Sequence, residues 1–316
     1  MSTEHNKALV HRLFDEFYFR RSHLTHIQQL DPRRDHQEIC ALISWHEFPF
    51  DNTRSLEFAL FRTFASPGIA ALLHRTGEFG GRAQKRYDDT DLIISEIFEH
   101  GYDSERGLAA IRRMNQLHGR FPISNEDYLY VLSTFVFEPP RWMARFGWRP
   151  MVENEKLSLF YCWREIGRRM GIQNIPADYA EFECYNIEYE RAHFRFAEAN
   201  RHVANATRNL FLGWLLPRPL WKFGEPFIYA LLDEGLLEAF GYPKPSPAMR
   251  RFVEGLLKLR GRLVRLLPER RQPLWRTGPR RPTYPTGYRI EELGPKIEKN
   301  KPGEVDYEKS NLPSAP

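Results

Sequence analysis

Cysteine is scarce in this chain: three residues in 316, Cys40, Cys162 and Cys184, with no short spacing between any two. That scarcity excludes a disulfide framework and a Cys-x-x-Cys metal site, and it points to a reducing, cytoplasmic compartment. Long apolar runs are missing as well. No stretch approaches the ~20 apolar residues that span a bilayer. Met1 to Arg21 is polar and charged, with no apolar core ahead of a cleavage site, so no secretory signal is expected. Period-two alternation bounded by hairpin turns is absent, which removes the β-sandwich and barrel classes. There is no internal repeat and no His-Glu-x-x-His zinc motif. Gly77-Glu78-Phe79-Gly80-Gly81-Arg82 is glycine-rich but fits neither the dinucleotide nor the P-loop spacing, and no strand precedes it.

The chain does have bulk and helical periodicity. Hydrophobic residues make up 42% and aromatics 14%, enough for a large, bulky core. Apolar residues at Leu9, Val10, Leu13 and Phe17 predict a helix over 6–21. Ser66-Pro67 starts another, with a cap residue ahead of proline at the first helical position. Asp89 or Thr90 is expected to cap a helix that buries Ile93, Ile94, Ile97 and Phe98 and stops at Gly101. Ser104 opens the next, in which Ile111, Met114 and His118 share one stripe while Arg112, Arg113 and Gln116 turn elsewhere. Further helices are expected from Ser124 to near Gly147, over 154–170, over 177–215, over 226–240 and from Ser246 to Leu267. From Gln272 onward Pro, Gly, Arg and Lys dominate, and a largely irregular tail, disordered or draped on the surface, is expected.

The net charge of +5 is concentrated between Arg250 and Arg271, where eight basic residues face two acidic ones, so the rest is near neutral. A local basic patch does not make the whole protein a nucleic-acid binder. It lies on an amphipathic helix, 247–267, that either contacts an anionic membrane surface or packs on the domain with its basic face in water.

His118 is the first candidate site residue. A buried imidazole on a helix facing an apolar pocket is the usual protein contribution to a b-type haem. The alternative is a hydrogen-bonded core histidine whose charge the helix C-terminus favours. Arg86 and Thr90, one turn apart, could face the same cavity, Arg86 pairing with a haem propionate and Thr90 donating to a propionate or to bound oxygen; otherwise Thr90 is a cap and Arg86 a surface charge. Glu78, beside the glycine run, could serve as a base, the glycines letting the loop pass something bulky. Glu190-Arg191-Ala192-His193 has a Glu-x-x-His spacing, but Glu99-His100 and His46-Glu47 do not supply the second copy a di-iron site needs.

Several short strings, in order, resemble the MpaB/rubber-oxygenase family: Ser66-Pro67-Gly68-Ile69-Ala70, Thr76-Gly77-Glu78-Phe79, Lys85-Arg86-Tyr87-Asp88-Asp89-Thr90 and Arg113-Met114-Asn115-Gln116-Leu117-His118. Asn125-Glu126-Asp127, Phe146-Gly147-Trp148-Arg149-Pro150 and Ala239-Phe240-Gly241 extend the likeness, which spans 58–271. The resemblance implies His118 as proximal ligand of haem b, with Arg86, Thr90 and Arg120 beside the haem. Latex-clearing members place a lysine, their closed-state distal ligand, before the threonine, where this chain has Asp89. They carry an arginine four residues after the histidine, where this chain has Pro122. The strings are more similar to the mycophenolic-acid-pathway branch. The expectation is therefore an all-α, single globular domain of about eight to ten helices enclosing a haem pocket. An N-terminal helical segment (1–56) would precede a catalytic domain (57–271) and a tail (272–316). It would be a haem-dependent oxygenase cleaving a carbon–carbon double bond in a small apolar, isoprenoid or lipid-like substrate with O2. The alternative is a non-haem helical protein, either a di-iron oxygenase or a lipid- or partner-binding protein.

Overall fold

The computed structural model describes residues 22–295, which hold fourteen α-helices and no strand. The expected helix over 6–21 and the tail from 296 lie outside the described residues. Helices α1 (Ser22–Gln29) and α2 (His36–Leu42) are followed by a π-helical turn (Ile43–Glu47) and α3 (Pro49–Thr63). Next come α4 (Pro67–Arg75), the single turn α5 (Glu78–Gly81), α6 (Ala83–His100) and α7 (Glu105–His118). The long α8 (Asn125–Phe146), α9 (Glu153–Arg169), α10 (Tyr179–His193) and α11 (Glu198–Leu215) follow. The last are α12 (Trp221–Tyr229), α13 (Glu234–Phe240) and α14 (Pro247–Arg265).

Polar caps set many of these starts. Ser104, Ser124, Asp178, Asp233 and Ser246 each accept a hydrogen bond from an amide of the first turn, each worth about 1 kcal/mol. Ser66 precedes α4 as expected, but its hydroxyl lies 3.2 Å from the Tyr189 hydroxyl and makes no cap bond.

Helix α3 lies along α8, α6 pairs with α7, α2 packs on α9, and α11 on α4. One core gathers Phe137, Phe160, Trp163, Phe182, Ile39 and Ile97. A second, around Phe61, Val203, Leu237 and Phe240, sits between α3, α11 and α13. The two are tied by Arg62 on α3. Its guanidinium binds both Glu190 oxygens at 2.6 Å, pairs with Asp233, and comes within 3.5 Å of Glu138.

The structure differs from the sequence expectation in four places. The segment 177–215 is two helices: after His193 the chain turns extended at Phe194, whose ring packs against Tyr130. Asn200, fully buried, donates to the Arg195 and Ala65 carbonyls and fixes the break. The segment 226–240 is also two helices; α12 begins five residues before Pro226, and Asp233 starts α13. Helix α6 begins at Ala83, so Asp89 and Thr90 are interior residues and not caps. Thr90 Oγ1 donates to the Arg86 carbonyl at 2.9 Å. Finally, Arg113 is buried, its Nε donating to the Leu293 carbonyl at 2.8 Å.

That last bond belongs to the irregular segment 272–295, which is strapped across α6 and α7. Arg276 and Arg281 pair with Asp91, Tyr284 donates to Asp89, Tyr288 to Glu96, and the Thr277 hydroxyl to Glu99. Among the described residues no single helix is long and apolar enough to cross a membrane; the pair α3 and α4 passes that test jointly but is bent by 95° and packed into the core.

Candidate functional site

Helix α7 places His118 at its final residue. Ser104 caps the helix, and Ile111 and Met114 anchor its inner stripe at 3% and 8% exposure. His118 extends that stripe to the wall of a cavity of about 860 Å³ bordered by α3, α4, α6, α7, α8, α9 and α11. The walls draw on both cores, with Phe135 and Trp163 from one and Phe64 and Phe79 from the other. This volume lies in the range of cofactor and ligand sites.

The imidazole is held in an uncommon state. Nδ1 is sealed from solvent and has no hydrogen-bond partner among the described residues, while the ring lines the cavity. Burial, and then the nearby Arg86 guanidinium, push the His118 pKa down to about 4. The ring is therefore neutral at physiological pH, with burial outweighing the helix C-terminus. It packs edge-on against Tyr128, ring centroids 5.7 Å apart.

Arg86, on α6, faces the same cavity and is no surface charge. Among the described residues no carboxylate pairs with it; its guanidinium sits 5.7 Å from the centre of the Phe79 ring. Desolvation lowers its pKa, opposed by the charges of Asp89 and Glu78. An enclosed cation without a paired anion favours an anionic group in the cavity. Thr90, one turn on, also lines the wall, but its hydroxyl proton is committed to the Arg86 carbonyl, leaving it as an acceptor.

The remaining candidates are placed as follows. Arg120 lines the cavity just beyond α7. Glu78 starts α5 at the cavity wall with its carboxylate paired to Arg82, and so is not a free base. Gly80 and Gly81 approach nothing: a Cβ on either would meet open space, so no close contact explains them. Gly77 does need its freedom, taking φ +69°. Asp89 accepts from Lys85 Nζ at 2.9 Å and from the Tyr284 hydroxyl at 2.5 Å. Glu190 is taken up by Arg62, and His193 stacks on Tyr189. Among the described residues no group of three or more His, Cys, Asp or Glu side chains could cage a metal ion; a haem iron asks the chain for one ligand.

Sequence spacing gave no sign of Glu57. It lies in the cavity wall, 7% exposed, and accepts from the Tyr87 hydroxyl and from Arg54 Nη2, each at 2.6 Å. Burial lifts its carboxyl pKa to about 7.

Residues 57–266, the stretch that builds most of this cavity, match the family model described as ER-bound oxygenase mpaB/B'/Rubber oxygenase, catalytic domain. The chain belongs to this family. Over 239 residues it is 30% identical to a protein named ER-bound oxygenase mpaB' from Penicillium brevicompactum, covering 70% of this chain and 56% of that one. It is 30% identical over 214 residues to ER-bound oxygenase mpaB of Penicillium roqueforti (strain FM164), covering 62% and 72%. Against the mpaB of Penicillium brevicompactum the identity is 35% over 220 residues, 63% of this chain and 56% of the relative. The match thus spans little more than half the length of two of these MpaB proteins.

The residues fit the haem that the rubber-oxygenase resemblance implies. A neutral imidazole lines a largely apolar cavity, and a guanidinium with no ion-pair partner among the described residues lines the same space. One support common to ligating histidines is missing among the described residues, where Nδ1 has no acceptor to hold the ring; the ring packs against Tyr128.

Proposed function

We propose that this MpaB-family protein is a haem b-dependent oxygenase that cleaves a carbon–carbon double bond in an apolar, isoprenoid or lipid-like substrate. The observation that carries the proposal is the placing of neutral His118 and of Arg86, which has no ion-pair partner among the described residues, in the wall of one cavity. His118 would hold the iron through a ring nitrogen, and Arg86 would meet a propionate with its planar fork. Haem, when bound, supplies the redox centre at which O2 is activated.

The chain's own contribution is containment and positioning. Phe64, Phe79, Phe135 and Trp163 make a dry wall against which an alkene loses no hydrogen bonds and gains burial. Neutral His118 brings no net charge of its own to the cavity, and Arg86 is the charged group that acts on it. The overall balance needs no further reductant: one alkene and one O2 give two carbonyl fragments. Membership of an oxygenase family supports O2 as co-substrate. The relatives' names describe them as ER-bound, which fits a substrate drawn from a membrane.

The test is product analysis under ¹⁸O2. The haemin-loaded protein is incubated with a panel of isoprenoid alkenes, and carbonyl products are sought by mass spectrometry. Paired carbonyl fragments, each carrying label, are expected. Hydroxylated but uncleaved product would replace cleavage by monooxygenation, and oxygen uptake no faster than with free haemin would overturn the oxygenase assignment.

A further inference from the structure

The amphipathic helix α14 packs on the domain with its basic face in water, but through only one of its two apolar stripes. Viewed down its axis it has three faces. Val253, Leu257, Gly261 and Val264 turn to the core, with Gly261 so close to the end of α8 that a Cβ would lie 2.9 Å from the Phe146 carbonyl oxygen. A second stripe, Phe252, Leu256, Leu259, Leu263 and Leu266, repeats at i, i+4, i+7, i+11 and i+14, and is 48–72% exposed. The third face carries Arg251, Lys258, Arg262 and Arg265, all exposed. The helix's one acid, Glu254, is occupied by Arg145 and Lys258.

The exposed stripe continues onto α12. Phe227 meets Phe252 ring edge to face at 6.2 Å, and Phe223 beside it is 75% exposed. Leu215, at the end of α11, is 80% exposed. The result is a surface of protruding leucines and phenylalanines with the basic face of α14 alongside it. Isolated exposed apolar residues need no explanation, but a continuous band of this kind marks a binding face.

We propose that the α12–α14 face docks on the surface of an anionic lipid bilayer, leucines and phenylalanines entering the acyl boundary and the flanking Arg and Lys meeting the headgroups. Charge complementarity selects this occupant. A second copy meeting face to face would bring together two helices that each carry Arg251, Lys258, Arg262 and Arg265 against the single acid Glu254, whereas an anionic bilayer supplies both the apolar layer and the counter-charge. The face lies outside the cavity, so the inference does not depend on which reaction the cavity runs.

Vesicle co-sedimentation with the full chain tests it, using phosphatidylcholine vesicles with and without phosphatidylserine at low and high salt. Binding to the anionic vesicles is expected, weakened by salt and by omission of phosphatidylserine. The exposed double variant Leu256→Glu/Leu263→Glu is expected to bind about tenfold less or weaker, with a melting curve like the wild type's. Arg251→Gln/Lys258→Gln/Arg262→Gln should flatten the salt dependence. Folded wild type that ignores anionic vesicles overturns the proposal, as does undiminished binding by the leucine variant, which would put the contact elsewhere. Self-association of the wild type that the leucine variant abolishes, without vesicle binding, would assign the face to a second copy instead.

Discussion

Burial of Glu57 in the cavity wall lifts its carboxyl pKa to about 7, against the opposing pull of Arg54, Tyr87 and Arg276. The unfolded chain returns it to the ordinary 4.5. Between those two values the native state holds a proton that the unfolded state has lost. This group therefore contributes stability at low pH that disappears as the pH rises from 4.5 to about 7. At about 1.4 kcal/mol per pH unit the loss is on the order of 3 kcal/mol. Urea unfolding across this window should show Glu57→Gln with a shallower fall than the wild type; parallel curves would mean that Glu57 titrates normally. His118 was legible in the sequence because its stripe with Ile111 and Met114 is local. Glu57 was not, because it depends on Tyr87, thirty positions away on another helix, and on a cavity that no local spacing encodes.

Helices that announce themselves with a polar cap and a following apolar stripe were read correctly, among them α7, α8 and α14. Failures came where tertiary contacts did the work. The break at Phe194 has no glycine or proline to mark it; buried Asn200 and the Phe194–Tyr130 contact impose it. Asp88-Asp89-Thr90 looks like a cap, yet the two carboxylates accept sideways from Gln84 and Lys85 one turn earlier. The α6–α7 hairpin offers a sharp test at this scale. A Cβ on Gly107 would lie 2.0 Å from the Gly101 carbonyl oxygen and 2.8 Å from its carbon, backbone atoms that cannot swing aside. Gly107→Ala should destabilise the fold by at least about 1–3 kcal/mol and loosen the helix that carries His118. A thermal melt within a degree of wild type would show that the hairpin has slack the packing does not reveal.

For the molecule as a whole, the all-α class and the single cavity-bearing domain followed from the lack of strand signals and from the family strings. The role of the segment after Gln272 did not. Its proline- and arginine-rich composition reads as a loose tail, but residues 272–295 are held over α6 by Asp89, Asp91, Glu96 and Glu99, and Arg276, Gly294 and Pro295 reach the cavity wall. Composition reports how much a segment can bury, not whether its charged groups have buried partners waiting. The strap lies beyond residue 266, where the family match ends, so part of the cavity wall comes from residues outside the matched stretch.

The measurement that tests the central claim most directly is the absorption spectrum of purified protein before and after haemin, with a pyridine haemochromogen assay for stoichiometry, in the wild type and in His118→Ala. Expected is a sharp Soret band with about one haem per chain, lost in a His118→Ala variant that melts like the wild type. Stoichiometric haem in that variant, or no Soret band in the folded, reconstituted wild type, would contradict the account.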